Sequence, residues 1–80
     1  MSFDVYRLNI KTNSLKVIKS FETQIPAFRY ASERVSDLSC GKFVLENFGT
    51  KPNPLIGVGD SMRVGFNEKY AYWIKWSFDL

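Results

Sequence analysis

Apolar and polar positions alternate strictly at both ends of the chain. Over residues 3–10, Tyr6, Leu8 and Ile10 fall on one side and Phe3, Val5, Arg7 and Asn9 on the other. That two-residue period is the signature of a strand with one buried face. Lys11, Thr12, Asn13 and Ser14 form a polar break, and Asn13 suits a turn position with positive φ. Alternation resumes with Leu15, Val17 and Phe21 against Lys16, Ile18 and Ser20, so residues 3–22 predict a β-hairpin. The period then changes. Phe28, Ala31, Val35 and Leu38 recur at spacings of three and four, one stripe of an α-helix over about residues 24–39. Thr23 suits the N-cap, Pro26 falls in the first turn, and Gly41 suits a left-handed C-terminal cap. Arg34 can offset the repulsion between Glu33 and Asp37, four residues apart.

Strands are predicted again at 42–48, 62–66 and 70–78, separated by one long loop at 49–61 rich in Gly, Pro and Asn. The last strand has the clearest pattern, with Tyr70, Tyr72, Ile74, Trp76 and Phe78 alternating with Ala71, Trp73, Lys75 and Ser77. The expected fold is therefore α+β, a single domain over residues 1–80. It has one antiparallel sheet of about five strands in ββαβββ order, with one helix packed on one face. A helix of about 14 residues is roughly 21 Å long and covers one sheet face only. Val5, Ile18 and Trp73 then leave an apolar remainder on the second face. Its expected cover is the 49–61 loop, a second copy or another protein. Trp73 with Lys75 is the contact expected there, because Trp is enriched where partners bind.

Composition narrows the classes of function. The chain has 80 residues, 45% apolar and 16% aromatic, which excludes a disordered polymer and leaves room for one core. A lone cysteine, Cys40, and the absence of histidine exclude an internal disulfide and the usual zinc sets. No apolar run is long enough to span a bilayer, and residues 1–4 lack the pattern of a secretion signal. A cytoplasmic protein with no membrane contact is expected, in the host cytoplasm if it is viral.

Chemistry is sparse. Without histidine the usual general base is missing, Cys40 has no activating partner in sequence, and the carboxylates are scattered. No enzyme activity, metal or cofactor is expected. Gly57, Gly59, Asp60 and Ser61 imitate a phosphate loop but lack the spacing and the following helix. With Thr50 and Lys51 they mark the place where a small ligand such as a nucleotide would bind. The hairpin is more suggestive. Arg7, Lys11, Lys16 and Lys19 lie within 13 residues, with Asp4 the only acid among residues 1–21, in a chain of net charge +3. A basic two-stranded ribbon fits a phosphate backbone or an acidic protein surface. The plainer reading is that lysines at strand edges prevent aggregation.

The hairpin (Val5, Tyr6, Arg7, Leu8, Asn9, Ile10 to Val17, Ile18, Lys19, Ser20, Phe21) runs into a helix bearing Ala27, Tyr30, Ala31 and Ser32. The strand Gly41, Lys42, Phe43, Val44, Leu45, Glu46 and a C-terminal aromatic hairpin follow. This layout resembles small phage-encoded proteins, including some anti-CRISPR proteins of ββαβββ order. The resemblance covers most of the chain as element order, with no diagnostic motif. It implies a non-enzymatic inhibitor that docks on a host or defence complex. The contact residues expected from the sequence itself are Arg7, Lys11, Lys16, Lys19, Trp73 and Lys75. Direct nucleic-acid binding through the hairpin and a homodimer are the other expectations.

Overall fold

The computed structural model describes residues 2–49 and 60–77. The elements are β1 (Ser2–Asn9), β2 (Ser14–Phe21), α1 (Gln24–Ser36), β3 (Lys42–Gly49), β4 (Asp60–Phe66) and β5 (Tyr70–Ser77). All five strands join one antiparallel sheet in the order β2-β1-β5-β4-β3, so the fold is α+β, with the predicted ββαβββ order. β5 lies at the centre between β1 and β4, and β2 and β3 form the two edges.

The first hairpin turns as its residues predict. Asn13 adopts a φ of 57°, and the Asn9 side-chain oxygen accepts from the backbone N–H groups of Lys11 (3.1 Å) and Thr12 (3.4 Å). In β2, however, an extra residue sits opposite the Val5–Tyr6 step. Simple alternation put Phe21 with Leu15 and Val17. The bulge reverses the phase, so Ile18 and Phe21 pack into the helix-side core while Leu15 joins the cluster on the other face.

α1 lies across the sheet and touches all five strands. Its buried stripe is Ala27, Ala31 and Val35, with Phe28 and Leu38 half-buried at its margins. Ala27 was missing from the predicted stripe. Two alanines on the inner face let the helix approach Val5, Val64, Tyr72 and Ile74 closely. Thr23 occupies the N-cap with extended backbone but makes no side-chain cap hydrogen bond.

The helix stops at Ser36, short of the predicted end. Arg34 pairs with Asp37 at 3.0 Å, and Leu38 N–H turns back to the Val35 carbonyl. The left-handed residue is Cys40 (φ 56°), not Gly41 as expected. Glycine is needed at 41 for a different reason, since a Cβ there would stand 2.6 Å from the Val35 carbonyl oxygen.

β3 and β4 both extend further than expected, so Asp60 and Ser61 belong to β4 and not to the loop. Val64 is an extra residue of β4 against β5, which turns both Val64 and Gly65 inward. A Cβ on Gly65 would lie 2.6 Å from Val35 Cγ1 and 2.7 Å from the Lys42 carbonyl oxygen. Gly65 is where the C-terminal half of α1 seats on the sheet.

The face away from α1 has its own buried cluster of Leu8, Ala71 and Trp73, flanked by Tyr6, Leu15 and Phe66. Strand register arranges it in rows. Leu15, Leu8, Ala71 and Phe66 lie side by side, and Val17, Tyr6, Trp73 and Arg63 form the next row. The Arg63 guanidinium stands over the Phe66 ring (5.1 Å to the centroid) and over Trp73 (5.9 Å). A positive group held over a ring face is attracted by its quadrupole, and the arginine stem adds apolar cover. Trp73 is thereby only 5% exposed. The apolar remainder expected on the second face is, among the described residues, a second small core closed in part by an arginine; residues 50–59 of its expected loop cover lie outside the described residues.

Candidate partner-docking surface

The basic residues of the N-terminal hairpin gather on one face at one end. In β1 the alternation from Phe3 and Val5 carries Arg7 to the α1 side, where its guanidinium lies 5.2 Å from the centroid of Tyr70. Register sets Lys16 of β2 directly opposite Arg7, and Lys19 opposite Val5. Lys11 sits in the exposed hairpin turn. The turn between β4 and β5 abuts this end, because the Ile10 N–H donates to the Lys69 carbonyl at 2.9 Å. Lys69 therefore joins the basic end.

Asn67 builds that turn. Its side-chain oxygen accepts from the N–H groups of Lys69 and Tyr70, both at 2.8 Å, while its amide donates to the Ser39 carbonyl at 3.1 Å. One buried asparagine thus ties the basic end to the segment leaving α1. Arg34, ion-paired with Asp37, lies on the β2 side of the helix. It stacks over Tyr30 (5.3 Å to the centroid), and Tyr30 packs against Phe21 of β2 at 5.6 Å.

Arg7 and Lys16 are like charges placed side by side across a ladder. Such a pair destabilises a sheet. Asp4, the acid nearest in sequence, cannot relieve it. Alternation puts Asp4 on the opposite face, bonded to the Ser2 hydroxyl at 2.7 Å and paired across β5 with Lys75. Tyr6, on that same face, has its phenol pKa raised above 10.0 by burial and then by the Asp4 charge.

The six contact residues expected from the sequence therefore divide. Arg7, Lys16 and Lys19 share the α1 face and Lys11 lies at its end, whereas Trp73 and Lys75 are on the other face. Trp73, expected as a contact residue, is buried, enclosed by Arg63 and the Leu8–Ala71 row. Lys69 and Arg34 were missed by sequence reasoning. For Arg34 the available signal was its four-residue spacing from Tyr30. For Lys69 there was none, since only the hydrogen bond to Ile10 brings it there.

The loop site fares differently. Thr50, Lys51, Gly57 and Gly59 lie outside the described residues. Asp60 opens β4 opposite Trp76, and Ser61 is fully buried beside Lys75, so its side chain is not offered to a ligand in a loop.

A surface cavity of about 590 Å³ runs along α1, lined by Gln24, Ile25, Phe28, Arg29 and Ser32. Another, of about 340 Å³, lies near Cys40, Lys42, Phe66 and Glu68. Among the described residues, no three of Cys, Asp and Glu converge in a way that could hold a metal ion. No helix there is long and apolar enough to cross a membrane.

The described residues form an open antiparallel sheet with a single helix on one face. No family model matches the chain, and no curated protein or solved structure matches it either.

Proposed function

We propose that this chain is a non-enzymatic interaction protein whose basic hairpin end docks on an anionic surface of a larger macromolecular complex. The observation that supports this most is the Arg7–Lys16 pair, two like charges held side by side with no acid placed between them by the strand register. A sheet arranged for stability alone would put a carboxylate or threonine at one of these positions. Lys11, Lys19 and Lys69 extend the same potential around the corner. An anionic partner would relieve their repulsion and steer encounter at long range.

The element order is that of the phage-encoded inhibitors the sequence resembles. We place the protein among them as a binder of a host or defence protein complex, acting in the cytoplasm. Replacing Lys11, Lys16 and Lys19 together by Glu should abolish partner capture while the thermal unfolding transition persists. Unchanged capture would remove the hairpin from the account.

A second reading is direct nucleic-acid binding, favoured by the stacking of Arg7 on Tyr70 beside Lys16. It predicts affinity that falls with salt at a log–log slope of about −0.9 per phosphate contacted on duplex DNA.

A further inference from the structure

Arg7 differs from the other cations of the basic end. Its side chain is half-buried, and its guanidinium stands 5.2 Å from the centroid of Tyr70, a ring that itself packs on the helix-side core. A guanidinium held over a ring gives up part of its freedom before a partner arrives, so less is lost on binding. Its N–H groups are still open. Among the described residues Arg7 has no ion pair, and none of its nitrogens is shut away from solvent without a partner. Strand register sets Lys16 directly opposite it, while Asp4 lies on the other face. Arg7 is thus a held, unpaired fork of donors beside a second positive charge.

Given the reading above, that the basic end docks on a protein complex, we propose that Arg7 is the anchor of that surface. It takes one carboxylate, from an aspartate or glutamate side chain of the partner, in two parallel N–H···O bonds. Pairing of this kind fits the planar fork of arginine and not the point charge of lysine. The carboxylate also brings a negative charge beside Lys16, which offsets the repulsion built into the Arg7–Lys16 pair. Tyr70 is the positioning residue, because its ring holds the guanidinium.

Two features favour a carboxylate on a protein over a phosphodiester backbone. Arg7 already stands over Tyr70, so that face of the ring is not offered to a base, as a stacking platform requires. Ile10 (40% exposed) and Val17 (44% exposed) adjoin Lys11 and Lys16 in the chain. Apolar side chains among cations find packing partners on a protein surface, whereas a nucleic-acid backbone presents mainly charged and polar atoms. The exposed apolar pair of β3, Phe43 and Leu45, lies at the opposite edge of the sheet and takes no part.

Calorimetric titration of the full chain at low salt tests it, with an oligoglutamate peptide and an oligothymidylate of equal charge as probes. Wild type should bind the peptide more tightly than the oligonucleotide. R7K keeps the charge but loses the fork, and should weaken peptide binding by about tenfold or more. Y70F keeps the ring and should bind as wild type does, whereas Y70L should weaken binding as R7K does. The Arg7 Nε–H signal in the NMR spectrum should shift when peptide is added. An R7K variant that binds like wild type overturns the proposal. So does a wild type that fails to bind the peptide or prefers the oligonucleotide, or an Arg7 signal that stays in place. R7K and Y70F preserve charge and ring, so a folding defect in Y70L leaves the test intact. The docking reading fails separately, if K11E/K16E/K19E captures its partner unchanged. Loss of capture in that variant beside unchanged binding in R7K overturns the anchor alone.

Discussion

Trp73 sits between Tyr6 of β1 and Arg63 of β4 on the face that α1 leaves uncovered. Its position on that face was legible in the strict alternation of β5. Its burial was not, because burial depends on Arg63, a residue from another strand whose stem and guanidinium lie over the indole and Phe66. Trp73→Ala should therefore act on the fold. A loss of about 3–5 kcal/mol of unfolding free energy is expected, as for other large-to-small changes at buried aromatics. Chemical denaturation measures it, and a loss near zero would return Trp73 to the surface. Gly65 shows the same limit more sharply. Nothing in its sequence neighbourhood reveals that Val35 and the Lys42 carbonyl will close on it. Gly65→Ala should cost about 1–3 kcal/mol through forced displacement of α1 from β4, read as a lowered denaturation midpoint.

At the scale of elements, the strands and the helix were legible because each keeps its period over several residues. What escaped was where the period breaks. The bulge in β2 moves Phe21 to the α1 side, where it meets Tyr30, and the bulge in β4 turns Val64 and Gly65 inward together. Both depend on the partner strand's register, which alternation within one strand does not contain. The early stop of α1 has a similar origin. Lys42 must pair with Phe66, and the chain reaches it through the turn at Leu38 and the left-handed Cys40. The hairpin permits a prediction of unusual sign. Lys16→Glu converts the like-charged pair with Arg7 into an opposite pair, so it should raise unfolding free energy by about 0.2–1 kcal/mol. The same change should weaken partner binding. A fall in stability, read by denaturation at low salt, would mean that Arg7 and Lys16 do not repel across the ladder.

For the whole molecule, the order β2-β1-β5-β4-β3 decides what the outer surface offers. It places the basic hairpin at one end and the apolar edge of β3 at the other, with both cores between them. The fold class and element order could be read from the chain. The strand order could not, since β1 and β5 meet only through long-range pairing. That pairing also separates the expected contact residues, leaving Arg7, Lys16 and Lys19 on the α1 face and Trp73 and Lys75 on the other. The central claim is that the basic end binds a protein complex. Its most direct test is capture from lysate of the native host, using tagged wild type beside the K11E/K16E/K19E variant, each with and without nuclease. The account predicts a stoichiometric protein partner that survives nuclease and is lost with the variant, whose unfolding transition persists. A partner retained by the variant, or recovery of nucleic acid alone, would contradict it.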